Sequence, residues 1–358
     1  MKSILLTGHN GFVGTNLIHA FQKDHDLFGL DIQQHDPAKS SPLPPEKSFS
    51  WDQLQELPTV DTIIHLAGKA HDTANTSAPE EYFEVNLGLT KRIFDHFLQS
   101  EATTFIFFSS VKAVADTVEG EALTEAHTPD PKTPYGQSKL AAEQYIREKI
   151  KQHEAEASAG IRKNKNPDAN RTRSSDDHQE AGKKTGEKRV YILRPCMIHG
   201  PGNKGNLNLL YKVVQKGIPW PLGAFHNKRS FLSINNLIFV IRHLINGDIA
   251  SGTYHLADDD PVSTNEVIRL IAKSLNRNPQ IWNIPRKLIR TAASAGDILR
   301  LPLNTERLQK LTESYIVSNN NIKKAFDVQS MPVSAREGLV HTLHHFSANH
   351  ALKRDLLV

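Results

Sequence analysis

The feature that most constrains this chain is its opening. The apolar run Ser3-Ile4-Leu5-Leu6-Thr7 leads into Gly8-His9-Asn10-Gly11-Phe12-Val13-Gly14, and an amphipathic stretch to Lys23 follows, with Val13, Leu17, Ile18 and Phe21 on one side. A buried strand that breaks into a glycine turn and restarts as a helix is the geometry in which backbone N–H groups at a helix N-terminus meet a phosphate. The spacing is G-x-x-G-x-x-G; its glycines permit the tight turn and the close backbone approach to a pyrophosphate. Asp31, at the end of the next apolar run Leu27–Asp31, falls about twenty residues on, where a carboxylate can bind both hydroxyls of a ribose. The same carboxylate repels a 2′-phosphate, so NAD is expected rather than NADP.

The rhythm continues. Strands are expected at Thr62–Ala67, Thr104–Ser109 and Val190–Leu193, and helices at Glu80–Ser100 and Gln137–Gln152. Apolar strands without clean alternation, separated by helices, indicate a parallel sheet covered on both faces. The expected strand ends are chemically suggestive. Ile64-His65-Leu66-Ala67-Gly68 finishes in small residues that leave room for a nucleotide, and Phe107-Phe108-Ser109-Ser110 finishes in hydroxyls, one of which can hydrogen-bond a reacting carbonyl or alcohol. Pro37–Pro45 reads as a loop. Past Arg194 the elements shorten, with helices expected at Leu207–Gln215, Ile234–Asn246, Thr264–Leu275 and Arg286–Ala295.

One segment breaks the pattern. Between His153 and Lys188 the only large apolar residue is Ile161, a composition that cannot offset ordering entropy, so a disordered insertion is expected there. Residues 151–189 also carry ten Lys/Arg against seven Asp/Glu, which is most of the net +4 of the 358-residue chain. The folded body is therefore close to neutral, which argues against a nucleic-acid face. A single cysteine, Cys196, rules out an internal disulfide, and no apolar run reaches membrane-spanning length. A cytoplasmic protein with no membrane partner is the expectation. The histidines near the end (His341, His344, His345, His350) lack cysteine or carboxylate companions at ligand spacing, so no metal is expected.

Pro134-Tyr135-Gly136-Gln137-Ser138-Lys139-Leu140-Ala141-Ala142-Glu143 sets a tyrosine four residues before a lysine, on one face of a helix. Tyrosine titrates near 10 in water. The lysine charge is expected to favour the phenolate and so make Tyr135 an acid/base at neutral pH.

Taken together, TGHNGFVG (7–14), Asp31, IIHLAG (63–68), Asn86, FFSS (107–110), PYGQSKLAAE (134–143), ILRPCMIHGPGN (192–203) and KRSFLSINNL (228–237) resemble the extended short-chain dehydrogenase/reductase family, the NAD-dependent epimerases and dehydratases. SSVKAVA (109–115) and GIPWPLGAFHNKRSF (217–231) are similar to members that act at C4 of UDP-N-acetylhexosamines, both 4-epimerases and reductases of UDP-4-keto-6-deoxy-hexosamines. The resemblance implies a doubly wound Rossmann-like domain over 1–195, with the insertion at 153–188. A smaller α/β substrate domain over 196–358 would be interleaved with it. It implies NAD contacts from Gly8, Gly11, Phe12, Val13, Gly14, Asp31, Leu66, Ala67, Gly68, Asn86, Tyr135, Lys139 and Pro195. Ser110, Tyr135 and Lys139 would be the catalytic set. Arg229 would bind the diphosphate of a UDP-sugar, with Asn206 a weaker candidate, and two copies would pair as a homodimer. Departures are visible: Ala113-Val114-Ala115 stands where Val-Tyr-Gly is usual, Met197 where Asn is frequent, and Asn236 where Asp is common. The Val111-Lys112 pair lacks the carboxylates a 4,6-dehydratase needs. The implied activity is NAD-dependent epimerisation at C4 of a UDP-hexose or UDP-N-acetylhexosamine for surface polysaccharide. Alternatives are NADH-dependent reduction of a 4-keto sugar and a non-catalytic NAD sensor.

Overall fold

Alternate residues of the first strand enter different cores: Ile4 and Leu6 pack on one face of the sheet, Leu5 on the other. The computed structural model describes residues 1–32, 42–69, 78–163, 187–203, 205–299 and 304–355. Its strands are β1 (Ser3–Thr7), β2 (Asp26–Asp31), β3 (Ser48–Ser50), β4 (Thr62–His65), β5 (Thr104–Phe108), β6 (Arg189–Pro195), β7 (Met197–His199), β8 (Phe231–Ser233) and β9 (Gly252–Leu256). Seven of them form one parallel sheet in the order β3-β2-β1-β4-β5-β6-β9. The order reverses between β1 and β4, so a crevice opens at their carboxyl ends.

Helices cover both faces. One face takes α1 (Phe12–Phe21); the other takes α3 (Leu89–Gln99) and α4 (Pro134–Lys163). Before α3, α2 (Pro79–Phe83) runs through a π-helical turn at Glu84–Gly88. Beyond β7 come α5 (Asn206–Gln215), α6 (Ile234–Asn246), α7 (Thr264–Ser274), α8 (Arg286–Leu299), α9 (Thr305–Thr312), α10 (Asn320–Phe326) and α11 (Ala335–Asp355). Of these, α6 returns to the sheet beside α1, burying Leu237, Val240, Ile241, Leu244 and Ile245 in the first core. With β9 as the edge strand, residues after 195 thus complete the sheet. The second lobe has its own core, built from Leu207, Tyr211, Trp220, Ile268, Ile271, Leu308 and Leu339 around the two-stranded sheet β7–β8.

A buried polar knot ties the lobes. Both oxygens of Asp258 accept from the Ser233 amide at 3.0 and 3.1 Å, and Asn236 Nδ2 donates to Asp258 Oδ1 at 2.7 Å. His199 lies 3.7 Å from the same carboxylate and hydrogen-bonds Thr342 of α11 at 2.9 Å.

The segment expected to be disordered needs correction at both ends. Helix α4 continues through Lys163, and Lys188 donates from Nζ to the carbonyls of Phe97, Ser100 and Ala102 at 3.0, 2.6 and 2.7 Å. That lysine terminates α3 with a charge that suits the helix dipole. Residues 164–186 lie outside the described residues. So do residues 33–41, which include 37–41 of the expected loop; its last residue, Pro45, opens a 3₁₀ turn. The expected strand Thr62–Ala67 ends at His65, and α8 extends four residues past Ala295. Among the described residues no three His, Cys, Asp or Glu side chains gather as a metal site.

His9, in the glycine turn, faces inward. It is fully buried, and a Cβ at Gly29 would come within 2.6 Å of its ring. Gly29→Ala is expected to lower stability by about 1–3 kcal/mol through overpacking. In urea denaturation the double variant His9→Ala/Gly29→Ala should lose less than the sum of the two singles.

Candidate active site

The ends of β1, β2, β4, β5 and β6 and the starts of α1 and α4 converge on the crevice. At β1 the turn is tight: Gly8 has φ +68°, and a Cβ there would sit 2.9 Å from Ala67. A Cβ at Gly14 would lie 2.6–2.7 Å from the carbonyls of His9 and Gly8, so the first turn of α1 backs directly onto the loop. Phe12 and Val13 are half-buried beside it. Asp31, at the end of β2, accepts from the Asn10 amide at 3.2 Å, which fixes its carboxylate beside the glycine turn. At β4, Ala67 N donates to Thr7 Oγ1 at 3.0 Å and Leu66 N to Thr7 O at 3.2 Å. Gly68 is the clearest cradle: a Cβ there would meet Asn86 Oδ1 at 2.8 Å and Lys139 Nζ at 3.0 Å. A glycine-lined surface with a carboxylate at one end and an ammonium at the other fits a dinucleotide. Pro195 ends the buried strand β6.

Helix α4 carries the tyrosine–lysine pair to this edge of the sheet. Its N-terminus can approach because residue 136 is glycine; a Cβ there would come within 2.3 Å of the Lys112 carbonyl. Tyr135 and Lys139 then point back along one face toward β5. The Ser110 hydroxyl hydrogen-bonds the Tyr135 phenol, while Lys139 Nζ donates to the Phe108 carbonyl at 2.9 Å. Ser109 faces away from the phenol, and its hydroxyl donates to Glu143. The two serines, indistinguishable as a strand-end pair, are thereby separated. Asn86, held in the π turn, accepts from Lys69 N at 2.8 Å and donates to Ser138 Oγ at 2.9 Å. Ser138 in turn donates to the Tyr135 carbonyl at 2.8 Å.

Electrostatics correct one expectation. Burial raises the Tyr135 phenol above its ordinary value, and the Ser110 bond only partly opposes it. Burial also depresses the Lys139 ammonium, to about 8, against the pull of Glu143. At neutral pH the phenol therefore holds its proton and Lys139 is a weakened cation. Cys196 is inert, with burial pushing its thiol well up.

The other two expected residues lie elsewhere. Arg229 is in the second lobe, its guanidinium on the carbonyls of Lys310 and Glu313 at the end of α9 and 3.7 Å from the Glu313 carboxylate. Its backbone bridges to Tyr315, whose hydroxyl donates to the Ala115 carbonyl at 2.7 Å, which brings it near the Ser110 loop. Asn206 is exposed at the first residue of α5.

Sequence reasoning missed the buried ion pair behind the site. Glu143 is fully buried and takes Arg194 Nε at 2.9 Å, Arg194 Nη2 at 2.6 Å and Arg147 Nη2 at 2.7 Å. The signal was present, since Tyr135, Lys139 and Glu143 recur at four-residue spacing on one helix face.

Comparison with known proteins agrees with this fold. The model of the NAD dependent epimerase/dehydratase family matches residues 4–165. A UDP-glucose 4-epimerase of Vibrio cholerae is 30% identical over 292 residues, 79% of this chain and 78% of the relative. The chain belongs to the NAD-dependent epimerase/dehydratase family. Its cofactor is NAD. An Escherichia coli O157:H7 N-acetyl-α-D-glucosaminyl-diphospho-ditrans,octacis-undecaprenol 4-epimerase is 26% identical across 99% of this chain and 98% of its own length. The fold superposes on a Thermus thermophilus UDP-glucose 4-epimerase in complex with NAD with a TM-score of 0.67 at 19% identity, covering 96% of this chain and 99% of that one.

Lys139 gives a signed stability prediction. Between pH 8 and 10.5 the unfolded chain retains a proton that the folded chain has released, so the penalty is complete below pH 8 and fades as pH rises toward 10.5. Lys139→Met is expected to stabilise the ligand-free protein by ~2 kcal/mol at neutral pH, less near pH 10, while abolishing turnover. Denaturation at the two pH values checks this; a variant destabilised at neutral pH contradicts it.

Proposed function

We propose that this protein is a sugar 4-epimerase acting on a UDP-hexose or UDP-N-acetylhexosamine through a 4-keto intermediate, in the synthesis of surface polysaccharide. The observation that carries the reading is the joint placement of Ser110, Tyr135 and Lys139 at the carboxyl edge of the sheet, beside the Gly68 cradle. Bound NAD supplies the hydride acceptor and donor. Ser110 orients the C4 oxygen by hydrogen bond, and Tyr135 exchanges a proton with it. Lys139 steadies the ribose side of the cradle, and its residual charge favours the phenolate when the proton leaves. Epimerisation opens with the oxidative half, so the resting phenol must first release its proton to solvent, helped by the residual charge of Lys139, before Tyr135 accepts the C4 hydroxyl proton. In the reductive half it returns that proton to O4, and general acid–base catalysis of this kind is worth about 10²–10⁴-fold. Asp31 would hold the adenosine ribose and Arg229 the substrate diphosphate.

The near full-length alignment with the Escherichia coli relative favours a second reading, in which the sugar is carried on a polyprenyl diphosphate instead of UDP. The reacting carbon and the diphosphate are common to both.

The deciding experiment incubates the purified protein separately with UDP-N-acetylglucosamine, UDP-glucose, UDP-4-keto-6-deoxy-hexosamine and a polyprenyl-diphosphate-linked N-acetylglucosamine. Epimer formation without net NADH oxidation is expected; stoichiometric NADH consumption with the keto sugar identifies a reductase instead. Tyr135→Phe is expected to reduce turnover by at least about 10²-fold with NAD still bound, and Asp31→Ala to weaken NAD and relax discrimination against NADP. Full activity in Tyr135→Phe would overturn the mechanism, and tight NAD binding with no turnover on any substrate would favour a sensor.

A further inference from the structure

Helix α8 is long, apolar on one side and mostly uncovered. Of its fourteen residues only Ile289, Ala293 and Gly296 are buried. The remainder includes Leu288, 61% exposed, Ile298, 84%, and Leu299, 66%; Trp282, four residues before the helix, is 56% exposed. Leu288, Ala292, Ala295 and Leu299 follow at i, i+4, i+7 and i+11, which lines them along one side of the helix. Lys287 and Arg290 are exposed on the same helix.

Its ends are fastened. Arg286 donates to the Ala224 carbonyl at 2.8 Å and lies over the Phe225 ring, while Asp297 accepts from the Thr305 amide at 3.1 Å at the start of α9. These contacts engage one basic and the only acidic residue of α8 in the fold. What the helix presents outward is an apolar stripe, a tryptophan and two cations.

We propose that α8 is the element by which this protein lies on an anionic lipid surface. Large apolar side chains flanked by lysine and arginine, with an indole at the rim, match the boundary between headgroups and acyl chains. The cations complement an anionic leaflet. A second copy of α8 offers these cations no free acidic partner, since Asp297, the only acidic residue of the helix, is engaged by Thr305. The contact lies along the surface; among the described residues no helix is long and apolar enough to cross a membrane. This departs from the sequence expectation of no membrane partner, which rests on spanning length, a property a surface helix does not need. The proposal stands whether the substrate is nucleotide-linked or lipid-linked. It gains a purpose in the second case, since α8 packs beside α9, whose last carbonyls hold Arg229.

The test is flotation of the full-length protein with phosphatidylcholine vesicles containing about one-third phosphatidylglycerol, against pure phosphatidylcholine. Binding to the anionic vesicles, weakened by salt, is expected. Leu288→Glu/Leu299→Glu should reduce it by about tenfold or more, and Lys287→Glu/Arg290→Glu should remove the preference for anionic lipid. Tm and turnover on a soluble UDP-sugar report that each variant is folded, and they read the catalytic proposal separately. No flotation of the wild type, or flotation unaffected by both variants, would overturn the inference. So would a loss of self-association in the leucine variant with lipid binding unchanged, which would assign the face to a second copy.

Discussion

The site depends on the buried ion pair between Glu143 and Arg194. Removing one partner of such a pair costs about 3–5 kcal/mol, because the remaining charge is left unpaired in the interior. The pair spans two elements whose relation decides the chemistry: Glu143 is on α4, and Arg194 is near the end of β6. Ser109 at the end of β5 bonds the same carboxylate, so one group pins the helix to both strand ends. Tyr135 and Lys139 lie two turns and one turn before Glu143 on the same face, and their aim at Ser110 and Phe108 follows from that pin. Glu143 also acts through its field, opposing the loss of the Lys139 proton that burial promotes.

The parts of the fold that local chemistry dictates are legible in the sequence. A strand, a glycine turn and a helix can pack only if Gly8 takes positive φ and Gly14 meets the turn without a side chain, and both hold. The family and its cofactor follow from the same residues. What escapes is non-local. That α6 and β9 rejoin the first sheet is set by where Leu237, Val240 and Leu256 find apolar surface, more than 200 residues from β1 in sequence. The start of the polar segment, at His153, reads as incapable of order, yet helical propagation through Lys163 needs only one backbone hydrogen bond per added residue once α4 is nucleated. Composition also groups Lys188 with that segment, because it carries no information about the three carbonyls at the end of α3.

Departures from the family pattern acquire physical reasons in the knot between the lobes. Asn236, where aspartate is common, donates to Asp258 and to the Val333 carbonyl, each at 2.7 Å, and accepts the Val333 amide at 3.0 Å. An aspartate there would face the Asp258 carboxylate without a proton to share, and its repulsion would fall on the junction that sets one lobe against the other. Met197, in place of a frequent asparagine, packs against the second core, so it strengthens the lobe at the expense of a polar group.

Tyr135 and Lys139 show why spacing alone misjudges a buried pair. On an exposed helix, a phenol four residues before an ammonium would be drawn toward the phenolate and the ammonium held charged. Here desolvation is the largest influence on each, and it favours the uncharged form of both. The phenol keeps its proton and the ammonium holds its own less firmly, so the resting site carries less charge than the sequence implies. In the ligand-free crevice the charged forms of both groups are therefore disfavoured, and a stored phenolate most of all.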